Sequence, residues 1–221
     1  MQFIYSNLSG NSRIELDGEL YNYIFKVRRH RADEVLFLRN LESPKTLFQY
    51  RISDVSRRKA ILNLENQAEN FVEQAKKTVL GWCLVDPKTV EKTLSMLNEL
   101  GISKIAFIYC DFSQKNFKLD FDRIQRILET SSMQCGRFDI PKVETFQNLE
   151  TFLETYKNAF AIDFSENRTI PKSENLEFVV GCEGGFSENE RKLFKNSLSL
   201  PSANILRSET AVVSALSILN L

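Results

Sequence analysis

The 221-residue sequence contains a single histidine, His30, which lies in the basic run KVRRHR at residues 26–31. A Ser–His–Asp triad would have to use this histidine, and its basic surroundings are typical of a protein surface. The four cysteines lie far apart and form no CxxC pair, so their spacing does not favour structural zinc, and we expect no metal site. We expect the cysteines to be reduced and to act as small apolar residues.

The chain also lacks a net charge and a long apolar run. It has 29 basic and 29 acidic residues, so its total charge points to no particular partner. No apolar run approaches the roughly 20 residues needed to span a bilayer, and the N-terminal residues MQFIYSNLSGN lack the pattern of a signal peptide. Hydrophobic residues make up 43% of the chain, which is ordinary for a globular protein. We therefore expect a soluble, cytoplasmic protein without membrane contacts.

The chain changes character near residue 70. Before it, short alternating runs separated by turn residues predict strands at 3–5, 13–16, 34–39, 46–52 and 60–64. Strands at this spacing indicate a small antiparallel barrel or sandwich, which we place at residues 1–70. After it, buried strands are predicted at 78–85, 104–109, 158–163 and 176–181, and helices at 89–100 and 120–134. This alternation over residues 71–221 predicts a parallel sheet covered on both faces, with ligands at the C-terminal ends of its strands.

A glycine-rich stretch, GCEGGFSENE at residues 181–190, follows the last of these strands. Ser187 and Glu190 have the spacing of a capping box that starts a helix. One interpretation of the glycines is a tight turn in which they supply positive φ. A phosphate site is not favoured, because neither GxGxxG nor GK[ST] is present. Capping does not explain Glu183, so the stretch is also a candidate ligand site.

The chain ends in a segment that is apolar almost all round. Residues 205–221 read ILRSETAVVSALSILNL, and their spacing predicts a helix that starts near Ser208. The apolar face comprises Val212, Leu216 and Leu219, flanked by Ala211, Ala215 and Ile218. A helix of this kind is buried on two sides. We therefore expect it to pack against its own sheet and against a second copy in a homodimer.

These two stretches together resemble the RsmE family, the 16S rRNA uridine-N3 methyltransferases of the SPOUT superfamily. The family's GPEGG[FL][ST]xxE loop corresponds to residues 181–190, and its [IV]LRxETA motif corresponds to residues 205–211. Weaker matches are the family's ELG at residues 99–101 and its QCGR-like motif at residues 134–137. The resemblance covers essentially the whole chain, although the N-terminal third matches by pattern rather than by motif.

The resemblance implies an α/β fold in which an N-terminal PUA-like small β-barrel precedes a SPOUT domain with a C-terminal trefoil knot. It also implies S-adenosylmethionine as the methyl donor, held by backbone groups of three loops, with Glu183 adding negative potential near the cationic cofactor. On this chain the cofactor-binding residues would be Ile162, Val180, Gly181, Cys182, Gly184, Gly185, Ile205, Leu206, Arg207, Thr210 and Ala211. Glycines at three of these positions would let the backbone approach the cofactor closely.

Methylation at uridine N3 requires a base within hydrogen-bond reach of the N3 proton. Glu183 and Glu209 are the candidates, although Glu209 also fits the role of a charge at a helix N-terminus. Arg207 fits two roles as well. It is placed to stabilise a developing uracil oxyanion or to bind a phosphate, or else to form a salt bridge with Glu183 or Glu209. The sequence leaves the base unassigned.

Two basic clusters in the first domain predict contacts with rRNA phosphates, against the alternative of a solvated surface. Together with two residues of the QCGR motif, the predicted RNA-binding residues are Lys26, Arg28, Arg29, Arg31, Arg57, Arg58, Gln134 and Arg137. The implied partner is the 16S rRNA of the small ribosomal subunit.

Five positions depart from the family pattern, namely Cys182 for proline, Met133 for glutamate, Met96 for lysine, Phe112 for arginine and Tyr23 for histidine. The missing lysine and arginine concern RNA contacts more than the cofactor. Two other functions therefore stay open. One is methylation of a different RNA site, such as a tRNA ribose, and the other is a non-catalytic role in RNA binding or ribosome assembly.

Overall fold

The computed structural model describes residues 3–171 and 173–220, and these form two compact units. The first unit comprises the described part of Met1–Glu73 together with Ser132–Asp139, and the second comprises the described parts of Gln74–Ser131 and Ile140–Leu221. The short segment 132–139 therefore packs with the first unit, although we predicted it in the second domain. Within the described residues, no helix has both the length and the apolar character that a membrane span requires.

The first unit is built on a curled five-stranded sheet. Its strands are β1 (Ile4–Tyr5), β2 (Arg13–Leu16), β3 (Val35–Arg39), β4 (Thr46–Val55) and β5 (Ala60–Glu69). They lie in the order β1-β3-β4-β5-β2, with β1 parallel to β3 and the other pairs antiparallel. Two register shifts between β4 and β5 bend the long hairpin, because a bulge increases local twist. The alternating pattern thus predicted all five strands.

A short helix covers this sheet and was not predicted. Helix α1 (Gly18–Tyr21) continues directly into a π-helix (Asn22–Val27). Tyr21, Ile24 and Phe25 are buried in the core of the first unit, which explains why this segment is helical. The basic residues that follow hid this apolar face in the sequence.

The segment 132–139 joins the first unit through side chains at both of its ends. Met133 packs against the core, and its Sδ accepts a hydrogen bond from the backbone N of Tyr5 at 3.2 Å. The Tyr5 hydroxyl donates to the backbone O of Phe138 at 3.2 Å. Met133 stands where the family pattern has glutamate, and in this protein it is an apolar residue that packs against the core of the first unit.

The second unit contains a six-stranded sheet in which every neighbouring pair is parallel, as predicted. Its strands are β6 (Lys77–Cys83), β7 (Lys104–Ile108), β8 (Lys142–Phe146), β9 (Phe160–Ile162), β10 (Asn175–Val180) and β11 (Ser197–Leu198). They lie in the order β11-β9-β10-β6-β7-β8, so β10 and β6 are central. The sequence analysis missed β8 and β11, which are short edge strands with polar residues.

Helices cover both faces of this sheet. They are α2 (Pro87–Glu99), α3 (Phe121–Cys135), α4 (Leu149–Thr155), α5 (Glu188–Leu193) and α6 (Ser208–Asn220). Neighbouring residues of β6 point to opposite faces: Trp82 contacts Ser208 of α6, whereas the backbone of Gly81 lies against Phe152 of α4. On α6, the predicted apolar face is fully buried, since Val212, Leu216 and Leu219 are each 0% exposed.

The prediction of four reduced cysteines is wrong in the structure. Cys83 and Cys110 form a disulfide, with their Cα atoms 5.5 Å apart. Cys83 ends β6 and Cys110 follows β7, and the parallel register places Cys83 opposite Ile108. Residues 27 positions apart in the chain are thereby brought together by the sheet, which their spacing in the sequence did not reveal. Cys135 and Cys182 are free thiols.

Candidate cofactor and RNA-binding sites

A cavity of about 390 Å³ lies at the C-terminal ends of β9 and β10. Its wall is formed by residues from the end of β9, from the glycine-rich stretch and from the segment that leads into α6. Of the eleven residues predicted to bind a cofactor, all but Thr210 line it. The two sequence motifs, which are separate in the chain, therefore meet on one cavity.

The glycines shape the loop itself, as the tight-turn interpretation predicted. A side chain at position 181 would place its Cβ 2.9 Å from the Cα of Gly185. Gly185 has a φ of +71°, and its backbone N donates to the O of Cys182 at 2.9 Å. The loop thus closes on itself, and glycine is required at 181 for close backbone contact and at 185 for its left-handed conformation.

Cys182, which replaces the family's proline, is buried in this turn. Its Sγ donates to the backbone O of Gly185 at 3.8 Å. Burial raises the pKa of the Cys182 thiol above its ordinary value. A neutral thiol with this contact takes a structural place in the turn, and it is not an activated nucleophile.

The side chain of Ser208 fastens the two motifs together. Its hydroxyl donates to the backbone O of Gly181 and accepts from the indole Nε1 of Trp82 at 2.9 Å. Ser208 is 4% exposed, so both bonds are shielded from water. The sequence analysis missed this residue, because it occupies the variable position of the LRxETA motif. A buried tryptophan that needs an acceptor for its N–H was the available signal.

The three candidate catalytic residues are placed differently. Glu183 and Arg207 are exposed and line the cavity, whereas Glu209 lies in the first turn of α6 and does not line it. The salt bridge expected from Arg207 to Glu183 or Glu209 is not formed in the part of the chain that the structure describes. Glu209 thus has the position of a helix N-terminal charge, and Arg207 and Glu183 face the cavity.

An ion pair that the sequence analysis missed lies on the same wall. Arg191 Nε donates to Asp163 Oδ2 at 2.8 Å, and both residues line the cavity. The hydrogen bond to Asp163 raises the pKa of the Arg191 guanidinium above its usual value. Asp163 comes directly after β9, which was the available sign that it lies at a ligand-binding edge.

The capping box of α5 was predicted and has a further use. Ser187 Oγ accepts from the N of Glu190 at 3.2 Å, and Glu190 Oε2 accepts from the N of Ser187 at 2.9 Å. The second carboxylate oxygen of Glu190 accepts from the backbone N of Asp111 at 2.9 Å, and Ser187 Oγ donates to Asp111 Oδ2 at 2.6 Å. The loop after β7 is thereby tied to the glycine-rich stretch.

The two basic clusters of the first unit lie at the same end of its sheet. The Tyr21 hydroxyl donates to the backbone O of Ser56, directly before Arg57, at 2.8 Å. Lys26 Nζ lies 5.5 Å from the centre of the Tyr21 ring, so this tyrosine contacts both clusters. Arg28 packs over Tyr23, with its NH2 donating to the tyrosine hydroxyl at 3.0 Å. Tyr21 thus brings two basic segments about 30 residues apart in the chain close to each other, and we call their exposed residues the basic surface.

The predicted RNA-binding side chains differ in their availability. Lys26, Arg28, Arg29, Arg31, Arg57 and Arg58 are exposed, as is Gln134. Arg137 is buried, with its side chain 5% exposed, and its Nε donates to Asp139 Oδ1 at 2.7 Å. A phosphate contact by Arg137 would require this ion pair to open. We therefore remove Arg137 from the RNA-binding set and assign it a structural role.

Comparison with known proteins places the chain in a family. The sequence model of the family described as RNA methyltransferase domain matches residues 72–220 of this chain. The chain is 36% identical to ribosomal RNA small subunit methyltransferase E of Helicobacter pylori, over 99% of both proteins. It belongs to the ribosomal RNA small subunit methyltransferase E family. The protein of the same name in Rickettsia conorii is 26% identical, over 97% of this chain and 92% of that protein. The family resemblance inferred from the two motifs is thus confirmed.

Solved structures agree with this family in their fold. A protein from Legionella pneumophila with bound S-adenosylmethionine superposes with a TM-score of 0.83 at 24% identity, covering 99% of this chain and 96% of that one. Ribosomal RNA small subunit methyltransferase E from Neisseria gonorrhoeae, also bound to S-adenosylmethionine, gives a TM-score of 0.83 at 19% identity with the same coverage. At 24% and 19% sequence identity, these structural similarities show a shared fold only. Family membership itself makes the chain an RNA methyltransferase.

We expect Gly181→Ala to weaken S-adenosylmethionine binding at least tenfold, as an order-of-magnitude estimate, because the added methyl group forces the Gly185 backbone away and reshapes the cavity wall. Calorimetric titration measures the effect, and circular dichroism checks that the fold is kept. Gly18→Ala controls for backbone strain away from the cavity, since a Cβ there meets no atom within 4 Å but its φ of +56° strains an alanine, and it should leave the affinity unchanged. Undiminished affinity in Gly181→Ala would remove the loop from the cofactor site.

Proposed function

We propose that this protein transfers the methyl group of S-adenosylmethionine to N3 of one uridine in the decoding region of 16S rRNA. The main support for this proposal is that residues of both sequence motifs line one cavity, with Glu183 and Arg207 facing it. The relatives' name states the substrate class, ribosomal RNA of the small subunit, and we extend it to this chain. An rRNA substrate would place the protein in the cytoplasm.

The cavity is suited to S-adenosylmethionine in size and in chemistry. Its volume of about 390 Å³ lies in the range typical of small-molecule sites. Backbone groups of three loops line it, together with the apolar side chains of Phe164, Leu200, Ile205 and Leu206. Glu183 supplies negative potential where a sulfonium would sit. The two structurally similar proteins from Legionella pneumophila and Neisseria gonorrhoeae hold this cofactor.

S-adenosylmethionine supplies an electrophilic methyl group on a positively charged sulfur. The residues of this chain have to position the uracil and to handle the N3 proton. Glu183 is the stronger candidate for the base, because it lines the cavity and Glu209 does not. When N3 loses its proton, negative charge spreads to the uracil oxygens. The guanidinium of Arg207 lies on the same wall and forms no salt bridge with a carboxylate of residues 3–171 or 173–220, so it would stabilise that charge.

We assign the first unit to the PUA-like class and the second to the SPOUT class with a C-terminal trefoil knot. The curled five-stranded sheet with its basic end supports the first assignment. For the second, α6 follows edge strand β11 and returns to pack against central strands β10 and β6. Its first residue, Ser208, bonds to Gly181. A knot would be one of the rare exceptions to un-knotted topology.

The proposed reaction makes a prediction that can be read on rRNA. A methyl group at N3 blocks the Watson–Crick edge, so reverse transcriptase should stop one nucleotide before it. A deletion strain should lose one stop in the decoding region, and the wild-type gene should restore it. Unchanged 3-methyluridine in nucleoside mass spectrometry of the deletion strain would refute the proposed function. That result would favour methylation of a different RNA site or the non-catalytic role.

Charge reversal on the basic surface tests how the RNA is bound. Arg28→Glu/Arg29→Glu should reduce methylation of small subunits and lower the slope of log affinity against log salt by about one per lost phosphate contact. Affinity for S-adenosylmethionine should not change. The double substitution Arg57→Glu/Arg58→Glu should have the same effects as the one at Arg28 and Arg29, because Tyr21 contacts both clusters. The control is Lys45→Glu, at an exposed lysine already paired with Glu73. Equal effects at all three sites would contradict a specific RNA surface.

We also propose a homodimer in which α6 lies at the interface. The helix buries one face in its own unit, and Val213 also packs against that core, whereas Ser214, Ser217 and Ile218 on its other side are only partly buried. An isologous contact would cover these residues. Leu216 cannot test the interface, because it is 0% exposed and a charge there would disrupt the core of the same chain.

Ile218→Asp should therefore convert the dimer to a monomer, since a buried charge at an apolar contact is costly. Light scattering at micromolar concentration measures the mass, and Leu216→Ala controls for loss of stability without a new charge. A monomeric wild-type protein would contradict the proposed interface.

A further inference from the structure

Phe112 is a large apolar side chain that is 54% exposed, and it lies against the glycine-rich loop. A Cβ at position 184 would lie 3.1 Å from the Cδ2 and 3.2 Å from the Cγ of the Phe112 ring. The ring is therefore in contact with the backbone of the loop that carries Glu183. An exposed apolar residue alone is ordinary, but this one stands next to a candidate catalytic group.

The backbone that carries this ring is anchored on both sides. The N of Asp111 donates to buried Glu190 at 2.9 Å, and Asp111 Oδ2 accepts from Ser187 at 2.6 Å. On the other side, Ser113 is buried, and its N donates to the O of Cys110 at 3.0 Å. The backbone that carries the ring is thus fixed before any ligand binds, which lowers the entropy cost of binding.

Polar and basic residues flank Phe112 in the chain. Phe112 lies between Asp111 and Ser113, and the exposed residues Gln114, Lys115, Asn116 and Lys118 follow it. Within residues 3–171 and 173–220, the structure pairs neither lysine with a carboxylate. Phe117, by contrast, packs towards the core of the second unit. A single outward ring among polar residues is not the continuous apolar patch typical of a protein interface.

An aromatic face with neighbouring lysines matches the way proteins bind unpaired RNA. A base of single-stranded RNA stacks on an aromatic ring, while lysines contact the phosphates beside it. A uridine that is methylated at N3 must expose its Watson–Crick edge, so it leaves its base pair, and an aromatic surface near the cavity offsets the lost stacking.

We propose that Phe112 stacks on a nucleobase of the substrate RNA next to the catalytic loop, with Lys115 and Lys118 contacting the adjoining phosphates. This inference rests on the proposed function, because it assigns RNA-positioning residues to the same site. Phe112 is a substrate-binding residue in this proposal, and Glu190 positions it through Asp111.

Kinetics with small subunits from a deletion strain test the proposal. Phe112→Ala and Phe112→Leu should raise the KM for subunits about tenfold, since stacking of a base on an aromatic ring is lost. Phe112→Trp should stay within about twofold of wild type, because it keeps an aromatic face. Calorimetric affinity for S-adenosylmethionine should be unchanged in Phe112→Leu, which keeps the bulk against Gly184. Phe121→Ala, at another exposed phenylalanine of the second unit, is the matched control and should keep the wild-type KM.

Tryptophan fluorescence gives a second readout that does not depend on activity. Trp82 is the only tryptophan in the sequence, and it is 0% exposed. Phe112→Trp therefore adds a single exposed reporter. A short uridine-rich single-stranded RNA should quench its emission and leave the wild-type emission unchanged.

Two results would overturn the proposal. The first is a wild-type KM in both Phe112→Ala and Phe112→Leu. The second is a change of oligomeric state in Phe112→Ala at an unchanged KM, which would mean that a second copy of the chain covers the ring. Absence of methyl transfer by the wild-type protein would instead refute the proposed function, and the fluorescence titration would still decide whether RNA stacks on residue 112.

Discussion

The buried hydroxyl of Ser208 joins the parts of the molecule on which the candidate site depends. It holds the backbone of Gly181 and the indole of Trp82 at once, so it connects the start of α6, the glycine-rich loop and a central strand. Since these bonds are shielded from water, losing one would leave a buried polar group unpaired. The cavity exists because the end of the chain returns to this point. Two motifs that mean little separately become one site.

The charged side chains at and near the cavity fall into two groups: some bond to other groups of the protein, and others face the cavity. Asp163 and Arg191 form an ion pair on the cavity wall. Both carboxylate oxygens of Glu190 accept hydrogen bonds from backbone N–H groups. Arg207 and Glu183 face the same cavity without forming a salt bridge to each other. The wall thus offers one guanidinium and one carboxylate to a ligand, while its other charged groups maintain its shape. This arrangement suits a cationic cofactor beside a substrate that becomes anionic.

Three of the five departures from the family pattern have local physical explanations. Met133 fills the core of the first unit and accepts a hydrogen bond through its sulfur. Cys182 is a buried neutral thiol inside the turn where the family has proline. Phe112 exchanges a charge for an aromatic face at a position fixed by Glu190. None of these changes removes a group that lines the cavity through its backbone, and the change at residue 112 bears on how RNA is held.

The sequence by itself determined all strands except β8 and β11, the parallel sheet, the capping box of α5 and the start of α6, because each depends on periodicity or on residues within one turn of each other. The motif pair also marked about half of the residues that line the cavity. Only the tertiary structure decided which side chains meet across elements. The Cys83–Cys110 bond, the Asp163–Arg191 pair and the bond from Asp111 to Glu190 join residues far apart in the chain. The sequence also could not predict which atoms a side chain at each glycine would meet, since that depends on which neighbours the fold brings against the glycine backbone.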